Sequence, residues 1–444
     1  MLSGGSPQTD KKLFTFLLVT LGGSFVFPEY IAPLFVFFLY IYFIIHFKST
    51  NRNAKLGDIG KVFFAYMCYM VISGIWSNTH VLSVLIGLLW MGCFLGYIMV
   101  ANIVNTEEKL KNAITAINIS AGITGGIGIA EFVTYNLTKH TKWFNFIVAN
   151  PLYYNINDKV FDLFPISIVN NVYPSRATST FDNPLILAAF LVMAAPFGAF
   201  GMLYFKEKKH RAISTFCLLL TLGGLLCTES RGAYIAVALS FFTLLLSSKK
   251  VFKKMLPFII ILAIGLPAIL IIRYKNSPPG DLLVSNQSRM NIWKESFRIF
   301  TEHPILGLGA GTENIHQLLI NRLHVDRAHT HNLFLQIAAE GGIIGIIFAF
   351  AIIVTVVKNL VALYRTKEYR MLAFTYIAAF IGFITMSVFE HTLQSPKEMM
   401  MFLFLLGFVE ATFRLSNNTV QLAEDEKEEE EHFESEAEKE TVNV

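Results

Sequence analysis

The sequence predicts an all-α integral membrane protein: about twelve transmembrane helices, with a large periplasmic or extracellular loop that carries amphipathic helices. Three observations predict it. Of the 444 residues, 54% are hydrophobic and only 15% charged, where soluble domains are about a quarter charged. Apolar runs long enough to cross a hydrocarbon core recur from one end to the other, and mean hydropathy is +0.53. Lys and Arg collect in every second segment between those runs, which fixes an orientation. The net charge of +4 is mild and gives no ground for a nucleic-acid partner. Cys68, Cys93, Cys217 and Cys227 all fall inside apolar runs without disulfide or metal-ligand spacing, so they read as small core residues.

In order, the expected spans are 12–28, 30–47, 61–76, 81–104, 110–135, 183–205, 212–228, 232–247, 255–272, 331–357, 371–389 and 399–414. Lys11 and Lys12 precede the first, and no small-x-small site follows it, so it reads as an uncleaved span. With the N-terminus in the cytoplasm, the inner segments carry Lys48, Arg52 and Lys55, then Lys109 and Lys111, then Lys206, Lys208, Lys209 and Arg211. Lys249, Lys250, Lys253 and Lys254 follow, and finally Lys358, Arg365, Lys367 and Arg370. The short outer turns at Pro28–Tyr30 and Ser77–His80 carry neither Lys nor Arg. Both termini are therefore expected in the cytoplasm.

Residues 1–415 form one polytopic membrane domain in this reading, and 416–444 an acidic cytoplasmic tail, disordered or loosely helical. Two outer segments are long, roughly 136–182 and 273–330. The second holds an amphipathic stretch from Met290 to Phe300, where Trp293, Phe297 and Phe300 make one apolar stripe and Lys294 and Arg298 lie on another face. It is expected to lie along the outer surface of the bundle and to end at His303-Pro304.

On that topology, isolated basic residues from distant segments meet at one membrane level. Arg176 closes the first long loop, Arg231 sits in the short turn TESRGAY, and Arg289 opens the amphipathic helix. His329 and His331 lie at the outer mouth of the span that follows, in AHTHN. A lone outer Arg commonly anchors to headgroups. Arg231, held beside the bundle in a tight turn, needs a partner or a ligand, and planar guanidinium donors suit a diphosphate. His331 offers an imidazole able to take a proton from an attacking hydroxyl, with Asn332 beside it. His329 and His331 equally fit a plain role at the span end, against headgroups. His324, Asp326, His329 and His331 lack standard metal-ligand spacing, so no metal is expected. Glu340 is an intramembrane carboxylate, open to a functional or a helix-bonding role, and Gly341 and Gly345 invite a close helix approach. Glu390 and His391, at the end of 371–389, rank below these.

The stretch AHTHNLFLQIAAEGGIIG resembles the O-antigen ligase and O-antigen polymerase superfamily. His331-Asn332, nine residues, then Gly342-Ile343-Ile344-Gly345 matches the spacing of the ligase branch. Ile346 and Ile347 stand where classical ligases often carry two threonines. ESRGAYIAVALS with Arg231, SRMNIWKESFRIFTEHPILGLGAG with Arg289 and RATSTFDNPLILAAF with Arg176 resemble further family segments, so the likeness spans about 170–415. It implies a GT-C-like fold and a bacterial inner-membrane enzyme whose site faces the exterior. The implied substrates are a glycan on undecaprenyl diphosphate and a glycan or glycolipid acceptor such as lipid A core, with no cofactor. Polymerases would join lipid-linked repeats instead. On these residues Arg231, Arg289 and Arg176 stabilise the leaving diphosphate and His331 is the general base. His329, Asn332 and Glu340 remain secondary. A transporter or flippase fits the span count too, but places its polar site near the midplane on repeated halves.

Overall fold

The computed structural model describes residues 7–27, 31–138, 176–247, 249–276, 281–324 and 329–442. All regular structure among them is helical. The chain runs α1 (Pro7–Val26), α2 (Ala32–Ser49), α3 (Gly57–Ile72), α4 (His80–Ile103) and α5 (Glu107–Thr138). It resumes with α6 (Pro184–Tyr204), α7 (Lys208–Cys227), α8 (Arg231–Leu245) and α9 (Lys249–Asn276). Then come α10 (Asp281–Glu302), α11 (Glu313–Leu323), α12 (Leu333–Arg365), α13 (Arg370–Phe389) and α14 (Pro396–Val442). Among the described residues, nine helices are long and apolar enough to cross a membrane, and α8 is a shorter apolar helix. Each of the twelve expected spans falls on a helix, with α1, α8 and α9 outside that set of nine. Most of the first long segment, 139–175, and the turn 28–30 lie outside the described residues.

Packing follows from side-chain size. Helix α6 is almost wholly buried and rich in Ala and Gly, so neighbours close on it from several sides: α5, α7, α8, α13 and α14 all touch it. Between α5 and α7, Gly125 and Gly224 lie back to back; a Cβ on Gly224 would stand 2.5 Å from the Gly125 Cα. Small residues replace hydrophobic drive as the basis of helix association inside a membrane. Large rings fill the remaining centre: Phe25 stacks on Phe190, Phe63 on Phe94, and Phe383 on Phe402.

The two ends of the bundle differ. At one, ion pairs and hydrogen bonds tie the basic segments together: Arg52 to Asp10, Lys111 to Glu207, Lys358 to Asp58, and Arg414 to Glu410. The segments expected on the other side of a membrane meet at the opposite end. There the buried Lys397 ammonium donates to the carbonyls of Phe25 (3.3 Å) and Thr180 (2.6 Å) and lies 4.1 Å over the Phe181 ring. That one side chain joins the end of α1, the approach to α6 and the start of α14. The acidic tail continues α14 as helix to Val442.

Helix α12 is broken at Gly342 (φ 58°, ψ −154°), where the Gly-rich turn after α10 plugs in. The N–H groups of Leu308 and Gly309 donate to the carbonyls of Ala339 and Glu340. The N–H of Ile343 donates to the Pro304 carbonyl at 2.8 Å. Backbone groups freed inside a span must find partners within the protein, and this turn supplies them. Tyr69 of α3 clasps the junction from outside, donating to the carbonyls of Leu306 and Gly341. A Cβ on Gly342 would sit 2.4 Å from the Ile305 carbonyl oxygen. The expected close approach of a helix at Gly341 and Gly345 is thus a loop inserted at Gly342.

The amphipathic stretch is helix, and α10 ends at Glu302 just before His303-Pro304. Its buried face differs from the expected stripe. Ile292, Glu295, Ser296 and Ile299 face inward, packed with Ile315 and Leu319 of α11. Phe297 is 58% exposed. Glu295 is buried because Arg322 of α11 reaches it at 2.8 Å, so a polar position joins the core face; Phe297 turns outward while Trp293 and Phe300 stay half-buried at its edge.

Candidate functional site

Helices α6, α8 and α12 begin, like α14, at the end held by Lys397, each with a polar cap. Asn183 accepts from the Leu185 N–H, Ser230 from Ala233, and Asn332 from Phe334 and Leu335. The N-terminus of a helix carries partial positive charge, so this end favours anions before any side-chain charge is counted. Ser179, Glu229 and His331, all at this end, take left-handed backbone with φ of 55°, 50° and 53°. Each non-glycine residue held there costs about 1 kcal/mol or more and persists only where its surroundings over-determine it.

The loop before α12 shows what does so. Thr330 donates its N–H to Gln336 and its hydroxyl to the Asn332 carbonyl, and Asn332 reaches across to the Val388 carbonyl. Gln336 in turn donates to Glu340 at 2.6 Å. The left-handed turn at His331 brings its ring to 4.3 Å, centre to centre, from that of His329. Glu340 therefore lies outside the cluster that His331 joins; it steadies the loop through Gln336.

His331 meets Glu390 of the turn after α13, its Nδ1 3.0 Å and 3.1 Å from the two carboxylate oxygens. Nδ1 of His329 stands 3.4 Å from the same Oε1 and accepts the His331 N–H. Arg289 donates to the Phe389 carbonyl at 2.9 Å, with a guanidinium nitrogen 3.9 Å from Glu390. Burial alone would push the Glu390 carboxyl up; His331, His329 and Arg289 outweigh it and hold it well below the usual carboxylate range. Burial pushes His329 well below its ordinary value. A carboxylate only accepts, so the His331 proton sits on Nδ1 and the lone pair on Nε2.

Arg231 opens α8 and bonds Asn286 at 3.1 Å, one turn ahead of Arg289 on α10. Arg176 bonds the Thr228 carbonyl at 2.8 Å, beside that start of α8. Glu131 of α5 accepts from the N–H groups of Thr178 and Ser179 and so fixes the loop carrying Arg176. His331, His329 and Arg289 thus meet directly around Glu390, with Asn332 bonded to the nearby Val388 carbonyl, while Arg231 and Arg176 join through Asn286 and the α8 start. Glu390 and His391, second-tier candidates in the sequence, lie at the centre and edge of this cluster, and Lys397 carries no sequence signal of its own. The available signal was a carboxylate next to an imidazole where an apolar span ends. His324 is exposed at the end of α11, apart from this cluster, and Asp326 lies outside the described residues. The ligand-bearing atoms of His329, His331 and Glu390 all lie within 4.8 Å of one another, a set with the reach to hold a metal ion.

A bundle of membrane-length apolar helices with a polar, cationic, imidazole-bearing site at one end defines a polytopic membrane protein with the equipment of an enzyme. Residues 216–350 match the family model for O-antigen ligase, which supports placing the chain in the O-antigen ligase superfamily of membrane glycosyltransferases. That stretch runs from α7 into α12 and holds Arg231, Arg289 and His331. No curated protein matches the chain.

Proposed function

We propose that the chain is an O-antigen ligase-like glycosyltransferase that moves a glycan from undecaprenyl diphosphate to an acceptor hydroxyl. The acceptor is lipid A core or another surface glycan or glycolipid, and the reaction runs at the outer face of the bacterial inner membrane. The observation that carries this reading is the His331–Glu390 pair with Arg289 beside it. Glu390 holds the tautomer and steadies the imidazolium that forms. Nε2 of His331 takes the acceptor proton as the hydroxyl oxygen attacks the anomeric carbon. The bond from that carbon to the diphosphate oxygen breaks, and its electron pair leaves with undecaprenyl diphosphate. Arg289 and Arg231, with Arg176 behind them and the helix N-termini around them, meet the developing charge. Permanent cations there take the part that a metal plays in other diphosphate chemistry, so no cofactor is needed. Attack opposite the leaving group inverts the anomeric centre; a retained configuration in the product would refute it.

A polymerase of lipid-linked repeats is the second reading, favoured by Ile346 and Ile347 standing where ligases often carry threonines. Transfer by the purified protein, with lipid-linked donor and acceptor, tests the enzyme class against a transporter or an assembly subunit. Deleting the protein separates the two enzymes: full-length lipid-linked chains accumulate for a ligase, single repeats for a polymerase.

A further inference from the structure

We infer that His329, His331 and Glu390 form an inhibitory transition-metal site, filled by Zn²⁺ and switching the transfer off. The binding claim stands on geometry alone; the switch rests on the reading of His331 as general base.

The donors are two imidazoles and one carboxylate, a set that zinc accepts with a fourth position left open. Neutral nitrogen donors favour Zn²⁺ over Mg²⁺ or Ca²⁺, which take oxygen. Glu390 Oε1 stands 3.0 Å from His331 Nδ1 and 3.4 Å from His329 Nδ1. Ligand bonds of about 2.0–2.1 Å put neighbouring donors of a tetrahedral zinc roughly 3.3 Å apart, close to both of these distances; the two imidazole donors lie within 4.8 Å of each other, and His329 Nδ1 must give up the His331 N–H to bind. His391 adds an independent observation. It is 3% exposed, neither ring nitrogen has a hydrogen-bond partner among the described residues, and its ring lies 5.8 Å from that of His329. It is a spare donor at the edge of the cluster. Arg289, 3.9 Å from Glu390, opposes a second cation and keeps the site weak enough to empty. That is the behaviour of a reversible inhibitor and not of a resident cofactor.

The switch is a matter of tautomers. A neutral imidazole has one proton and one lone pair. A metal on Nδ1 of His331 uses the lone pair there, so the proton moves to Nε2. Nε2 then has nothing with which to take the acceptor proton.

The test uses the purified full chain in detergent, stripped with EDTA, and Co²⁺ as the spectroscopic probe. One Co²⁺ per chain is expected, with the visible absorption of a four-coordinate nitrogen–oxygen site, discharged by Zn²⁺. His329→Gln and Glu390→Gln each weaken binding at least tenfold, and Arg289→Gln tightens it. No saturable binding, or binding unchanged in both of the first two variants, overturns the site. Zn²⁺ should stop transfer and EDTA restore it; undiminished transfer at saturating Zn²⁺ overturns the switch. Protein that binds Co²⁺ but transfers nothing in EDTA would instead sink the transferase reading and leave the metal site standing.

Discussion

Nδ1 of His331 lies 3.0 Å from Oε1 of Glu390, a residue 59 positions further along the chain and only 3% exposed in its side chain. The pair is buried on the carboxylate side and reaches the surface on the imidazole side, with His331 at 15%. The carboxylate is thereby withdrawn from water and the ring is left able to meet a substrate. His331→Ala should abolish transfer while lipid-linked donor accumulates. Glu390→Gln keeps the shape but loses the charge, and should cut the single-turnover rate by roughly 10²-fold or more. Near wild-type rates in both variants would remove the pair from the mechanism.

Arg289 spends one nitrogen on the Phe389 carbonyl and holds another toward Glu390. Lysine has no second arm to span both. Arg289→Lys should lower transfer roughly tenfold or more although the charge is conserved. Full activity in that variant would show that point charge alone suffices there.

Gly342 carries the break in α12. A side chain there meets both a positive φ and the inserted turn, with the Ile305 carbonyl 2.4 Å away. Gly342→Ala should destabilise the protein by roughly 3 kcal/mol, from backbone strain and overpacking together. A melting temperature in detergent equal to wild type would contradict the plugged-helix account.

Lys397 is 0% exposed and its ammonium bonds two backbone carbonyls from different segments. Lys397→Met fills most of the volume and strands those acceptors, at a cost of roughly 2–3 kcal/mol. Equal thermal stability would mean that the carbonyls re-pair within their own turns.

His391 is pushed from 6.5 down to about 4, chiefly by burial, with Glu390 opposing and His331 adding. The unfolded chain takes up this proton near 6.5 and the folded chain only near 4. Stability is therefore full above pH 6.5 and is lost as pH falls from there through about 4. Glu390, held below its ordinary 4.5, adds loss in the same direction at still lower pH. In EDTA, His391→Leu should flatten the melting curve against pH in the upper window. Slopes identical to wild type would assign the acid sensitivity elsewhere.

Hydropathy and charge patterning were enough to lay out the helices and to gather Arg176, Arg231, Arg289 and His331 toward one end of the bundle. Hydropathy and charge placement act locally, and a span's limits follow from its own residues. The turn signal at His303-Pro304 was legible for the same reason, whereas the cap at Asn332 shows only in the structure. Which of those residues touch depends on how the helices pack. Glu390 pairs with His331 because the start of α12 lies against the end of α13, a packing outcome that no spacing encodes. The buried face of α10 turned on Arg322 from another helix, and the break at Gly342 on a loop that arrives from outside α12. A charge becomes part of a site only when its neighbours remove water from it, and those neighbours come from distant segments of the chain.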